Sequence, residues 1–367
     1  MTEVVALTRK LVGMDTVGKD ETAALRTLAP LLEESGFVVA ITEHEPGRGT
    51  LVADWHTGLG VPPLCLSGHV DTVPLGAAAW QHAPFGEVDG DRLYGRGTSD
   101  MKGGIAAIVT AATALAGKTP KRAGLRLVLT AAEETGSQGA RYVADSVLDA
   151  PSGPLVIAEP TSNAVVHGHK GALWLEALAT GVTAHGSMPE LGENAIYKLA
   201  SAVTALAGYR FEAGPHPVLG SPTLNVGTIS GGLNTNSVPD RAVATVDVRT
   251  IAGQDHALVA GALSRVAGLE LRPIVDLPPV WTDPGDEWAA SVTEIVRSVT
   301  GESGEPRAAT YFTDASVLTP ALGSVPTLIC GPGEASQAHV TDEWCALSRL
   351  AESAEIFSLI CRDWCGL

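Results

Sequence analysis

The sequence predicts an α/β protein with a mainly parallel sheet in one domain and an inserted α+β domain. Three observations carry this. Short apolar runs alternate with helical patterns through the first half; half-buried alternation of period two takes over near Lys170; helical patterns return from Asp286. A chain of 367 residues has room for two domains.

The elements follow in order. MTEVVALTRKLVGMDT reads as an amphipathic opening helix, and residues 21–35 (ETAALRTLAPLLEES) as a second helix stopping at Gly36. PLCLSG (63–68), GLRLVLTAAEE (124–134) and LVIAEP (155–160) read as buried strands, the last two ending at carboxylates. GGIAAIVTAATALAG (103–117) reads as a buried helix, and 141–148 as a further helix. Beyond Lys170, ALWLEALATG, TLNVGTISGG and AVATVDVRT alternate like strands with one face covered, and helices are expected near 193–207 and 255–266. ELRPIVDLPPV closes this segment, with Pro278 and Pro279 as its boundary. A strand at 325–329 and a final helix from about 343 complete the chain, which shows no internal repeat and no low-complexity tract.

Composition narrows the function classes. The chain is 45% hydrophobic and 18% charged, and no run approaches the ~20 apolar residues of a membrane helix. The N-terminus has no basic-then-apolar signal pattern, so a cytoplasmic protein without membrane partners is expected. Five cysteines argue against a disulfide framework, and Cys361 and Cys365 read as small fillers near a mobile tail. A net charge of −17 argues against nucleic acid, whose phosphates need clustered Lys and Arg.

The chemistry gathers at strand ends. His69 follows the first buried strand, with Asp71 two residues on; Glu133 and Glu134 end the next, and Glu159 the third. Asp100 sits in GRGTSDMKGG, and His339 lies in QAHVTDE after the GPG turn. In open α/β sheets ligands bind at the C-terminal edge, where such residues converge. Two histidines and three carboxylates suffice for two metal ions that share one carboxylate, and a further carboxylate would accept a proton from water. Glu133–Glu134 follows a buried run, where two free carboxylates would be costly without cationic partners. Arg249 and Asn236 are candidate anchors for a substrate carboxylate, although Arg249 could equally close an ion pair. Gly331 and Gly333 either shape a loop with N–H groups facing the substrate or simply make a tight turn, and Thr313 and Asp314 are candidate pocket residues. There is no GxSxG elbow, no Walker loop and no GxGxxG after a strand.

In family order, SGHVDTVP (67–74), Trp80, Pro84 and Phe85, LYGRGTSDMKGG, TAAEETGSQGA, IAEPT, GVTAHGSMPELGENAI, SGGLNTNSVPD…VDVRT and GPGEASQAHVTDE resemble the motifs of the M20 metallopeptidase family. The resemblance implies a catalytic di-metal domain over 1–171 and 280–367 and an inserted lid and dimerisation domain over 172–279. It implies two Zn2+ ions, with Co2+ or Mn2+ as substitutes. His69 would bind one and His339 the other, Asp100 would bridge them, and Glu134 and Glu159 would each join one ion. Glu133 would be the general base and later the acid, and Asp71 would orient His69 by accepting its other N–H. His185 would cross from a partner subunit of a homodimer to donate to the developing oxyanion. The implied substrate is a small N-acyl amino acid, cleaved by a deacylase of the acetylornithine deacetylase and desuccinylase kind. The alternatives are a metallo-dipeptidase or carboxypeptidase, and a catalytically silent binding protein.

Overall fold

The computed structural model describes residues 2–146, 148 and 152–367. The described residues form two compact units: Met1–Gly168 with Trp281–Arg307 and Thr313–Leu367, and His169–Val280 with Ala308–Phe312.

In the first unit, a six-stranded sheet runs in the order Val38–Glu45, Arg48–Trp55, Ala123–Thr130, Val61–His69, Leu155–Ile157, Thr327–Ile329. The last four are mutually parallel, and the first two form an antiparallel hairpin added at one edge. Every residue of Ala123–Thr130 is buried, as expected of a central strand covered on both faces. The helix Gly103–Thr113 is apolar almost all round and buried to match. The parallel strands all point their C-terminal ends to one edge, so His69, Glu133, Glu159 and Gly331 lie on or just beyond it.

Several local expectations need correction. The helix expected over 141–148 spans Gln138–Ser146, and Val147 lies outside the described residues. The final helix begins at Leu347, because Trp344–Ala346 pairs as a short strand with Arg92–Gly95. No mobile tail holds the last cysteines: Cys361 and Cys365 are buried on the helix Leu347–Cys365. All five thiols are free and buried. No helix of the described residues is long and apolar enough to cross a membrane.

The second unit is an antiparallel sheet in the order Thr223–Gly231, Arg241–Thr250, Gly171–Thr180, Leu271–Leu277. Alternate residues of the two central strands are buried, which follows from their period-two sequences. Leu173, Leu175, Val246 and Val248 pack with Leu199, Leu206 and Leu263 of the helices Ala195–Ala207 and His256–Ala267. Asn194 and Asp255 cap those helices by accepting the N–H of Tyr197 and Leu258.

Candidate metal centre

Three strand ends and two loops supply the side chains. The Val61–His69 strand terminates at His69, whose ring is almost wholly buried. After the Ala123–Thr130 strand the chain turns sharply: Ser137 N–H donates to Glu133 O, Gln138 N–H to Ala132 O and Gly139 N–H to Ala131 O. Glu133 and Glu134 therefore stand on a short strand-to-helix turn. Ala132 and His339 both adopt left-handed backbone (φ 57° and 64°), a conformation non-glycine residues keep only where surrounding contacts enforce it.

Two sets of donor atoms converge. His69 with Asp100 and Glu159, and His339 with Asp100 and Glu134, each place one ligand atom per residue within 4.8 Å of the others. His69 Nε2 stands 3.2 Å from Asp100 Oδ1 and 3.7 Å from Glu159 Oε1. His339 Nε2 stands 3.3 Å from Asp100 Oδ2 and 2.9 Å from Glu134 Oε1. Asp100 thus faces one imidazole with each oxygen. Glu133 is buried beside them, and its Oε1 has no hydrogen-bond partner among the described residues.

Asp71 has a double attachment. Its Oδ1 lies 3.4 Å from His69 Nδ1, while its backbone O lies 3.0 Å from that same nitrogen. Its carboxylate oxygens also accept the backbone N–H of Glu133 and Glu134, each at 3.1 Å. One side chain therefore fixes the turn that carries both glutamates.

The electrostatics describe a site short of positive charge. Burial pushes Glu133 and Glu159 well above the usual carboxylate range. Burial would favour a neutral His69, yet Asp100 and Asp71 outweigh it and hold the ring well above its ordinary value. Hydrogen bonds to Asp100 and Glu134 raise His339 to about 10. Five carboxylates (Asp71, Asp100, Glu133, Glu134, Glu159) surround two imidazoles, an arrangement that recruits protons or other cations. Imidazole and carboxylate donors suit zinc and similar divalent ions, so these residues fit a metal pair.

Other candidate residues are placed differently. Gly331 does not present a free N–H, since it donates to Thr161 Oγ1 at 3.0 Å. A Cβ on Gly331 would lie 2.2 Å from Ala158 O, and one on Gly333 2.3 Å from Ser99 O, so close packing requires both glycines. Thr313 and Asp314 are buried rather than lining an open pocket, and Asp314 accepts from Thr130 Oγ1. His185, Asn236 and Arg249 belong to the second unit. His185 is exposed; its Nδ1 accepts the Ser187 N–H at 3.2 Å, which leaves the proton on Nε2 as a donor. Asn236 lies in an exposed loop, where its backbone O accepts from Gly186 N–H. Arg249 is half-buried and paired with Asp247, Nε to Oδ1 at 2.9 Å.

Two groups of residues escape the sequence reading. Buried Glu21 pairs with Arg48, which also reaches Thr135 Oγ1 and Gln138 Oε1 beside the Glu133–Glu134 turn. Burial raises the Glu21 carboxyl to about 7. Glu343 lies buried against the loop that carries Asp100. Neither has a local signal, because each partner lies far away in sequence.

The sequence profile of peptidase family M20/M25/M40 matches residues 65–363. A probable succinyl-diaminopimelate desuccinylase of Staphylococcus epidermidis is 32% identical, over 93% of this chain and 92% of that one. An acetylornithine deacetylase of Vibrio vulnificus is also 32% identical, over 94% of this chain and 92% of the relative. The crystal structure of an M20 family metallo-carboxypeptidase from Sulfolobus solfataricus superposes with a TM-score of 0.80 at 20% identity, covering the whole of both chains. A profile match over most of the chain and relatives above 30% identity lead to one conclusion: this chain belongs to peptidase family M20/M25/M40 and is a metal-dependent hydrolase of amide bonds.

Proposed function

We propose that this chain hydrolyses the amide bond of a small N-acyl amino acid, releasing a carboxylate and a free amine, with two Zn2+ ions as its native cofactor. The observation that carries the reading is the Asp100 carboxylate, set between the His69 and His339 imidazoles with Glu133 buried alongside. His69, Asp100 and Glu159 would hold one ion, and Asp100, Glu134 and His339 the other. Such ions supply water acidification and carbonyl polarisation when bound.

The remaining steps belong to side chains of the protein. Glu133 accepts a proton from the attacking water and returns it to the leaving nitrogen; its buried Oε1 has no other hydrogen-bond partner among the described residues. Asp71 holds the Glu133 backbone so that this carboxylate stays in place through the cycle. His185 of a second copy in a homodimer would donate its Nε2–H to the developing oxyanion, and Arg249 and Asn236 would take the substrate carboxylate, Arg249 by exchanging its Asp247 partner.

The acyl amino-acid reading, rather than a dipeptidase, rests on the names of the two relatives at 32% identity. A homodimer built on residues 172–279 is supported by the exposed edge strand Thr223–Gly231, with Ile229 55% and the following Leu233 96% exposed. Five free thiols fit a reducing, cytoplasmic setting. The test is amine release from N-acetyl and N-succinyl amino acids against dipeptides, with zinc and then cobalt added. Higher kcat/KM on one acyl amino acid than on every dipeptide is the expected result. The reverse order overturns the acyl reading and makes the chain a peptidase with the same centre.

A further inference from the structure

Glu343 has no part in the mechanism above, yet its side chain is fully buried and engaged on both oxygens. Oε1 accepts the backbone N–H of Gly97 (3.0 Å), Ser99 (2.9 Å) and Asp100 (3.1 Å). Oε2 accepts Gly97 N–H at 3.0 Å and Arg96 Nη1 at 2.6 Å. The backbone joins in: Gly95 N–H donates to Glu343 O at 2.8 Å, and Ser99 Oγ donates to Trp344 O at 2.7 Å. Residues 95–100 are thus strapped to the segment that carries His339, four residues before Glu343.

The juxtaposition has a chemical consequence. Within this segment Lys102 N–H to Gly97 O and Thr98 Oγ1 to Gly95 O close internal bonds, but Asp100 itself is non-helical, so the groups that accept the segment's remaining N–H donors set its course. A carboxylate is the one side chain that offers acceptors on both branches and no donor. Here it gathers the N–H donors of Gly97, Ser99 and Asp100, ending at the residue whose carboxylate faces both imidazoles. Asp71 does the same for the amides of Glu133 and Glu134.

We propose that Glu343 is a positioning residue that holds Asp100 between His69 and His339, so that both cation positions depend on it together. This rests on the reading of Asp100 as the shared ligand. A brace that served only the fold would lower stability and leave the two sites as they are.

The test uses the full chain, stripped of metal and titrated with Zn2+ against a chromophoric chelator, with the visible spectrum of the Co2+-loaded protein as a second readout. In Glu343→Gln, an NH2 group replaces one acceptor and confronts N–H donors. Both zinc-binding steps should weaken together, by about 10–100-fold, with an altered cobalt spectrum and a fall in kcat larger than any change in KM. A variant with a lower melting temperature but unchanged zinc affinities and cobalt spectrum makes Glu343 a fold brace and overturns the proposal. Weakening of one step alone also overturns it. Should Glu343→Gln fail to fold, Arg96→Gln keeps the amide donors of Gly97, Ser99 and Asp100 while removing the cation partner, together with the Arg96 contacts to Pro74 O and the Trp80 ring. It should weaken both steps together by less than about 10-fold, and no change in either step counts against the proposal. Wild-type protein that takes up fewer than two zinc ions overturns the shared-ligand reading, and the proposal with it. Two ions in the wild type with unaltered variants overturn the role of Glu343 alone.

Discussion

The two units deploy their polar residues in opposite ways. In the first, His69, Asp71, Glu133 and Glu159 are buried, and several are fixed by backbone N–H groups or by one another. In the second, His185 and Asn236 are exposed, and Arg249 is half-buried against an aspartate of its own strand. Buried groups with fixed partners need little reorganisation during a reaction, which suits the bond-making centre. Exposed groups must lose solvent and mobility when they engage, which suits recognition. The difference teaches where changes should register: in turnover for the buried residues of the first unit, and in substrate affinity for Arg249 and Asn236 of the second, with the proposed oxyanion donor His185 as the exception.

The largest expected effect comes from stripping the metal. Dialysis against a chelator should lower amide hydrolysis by about 10^4-fold or more, with recovery on adding zinc or cobalt. Retained turnover in a metal-free sample would break the comparison at its root. His339→Ala comes next. Its ring is half exposed, so the fold should survive while one of two bound metal equivalents is lost and kcat falls by at least about 100-fold; metal analysis beside kinetics checks both.

Arg249→Met probes the other unit. KM should rise by about 30–100-fold with kcat nearly unchanged, as expected for loss of a charge-assisted contact made equally in ground and transition states. A collapse of kcat would show that Arg249 acts in the chemistry and not only in binding the substrate.

The smallest effect concerns stability. Burial lowers His169 from 6.5 to about 4, so the folded unit holds this ring neutral where the unfolded chain would protonate it. The unfolded state then binds more protons between these values, and stability falls as pH falls through that window. The contribution lost between pH 7 and pH 5 is about 2 kcal/mol, which His169→Gln should remove in denaturant melts at the two pH values.

The sequence made the parallel strands legible because strands covered on both faces read as uninterrupted apolar runs, as in GLRLVLT. It also placed the acids and His69 at the ends of those runs, and parallel pairing brings such ends to one edge. The hairpin Val38–Glu45 with Arg48–Trp55 went unread, because its first strand is exposed at the sheet edge and carries mixed residues. Trp344–Ala346 was absorbed into the last helix, since only its partner Arg92–Gly95, far away in sequence, makes it a strand. Glu343 and the amide contacts of Asp71 were hidden for the same reason: a carboxylate that organises a remote loop looks locally like any acidic residue.

The central claim is that one unit holds a preorganised two-metal centre in which Glu133 moves the proton. The most direct measurement is metal content and turnover, made together on wild type and Glu133→Gln. The account predicts two equivalents of metal in both proteins, and a fall in kcat of about 10^3–10^4-fold in the variant. Wild-type turnover in a fully loaded Glu133→Gln protein would contradict it.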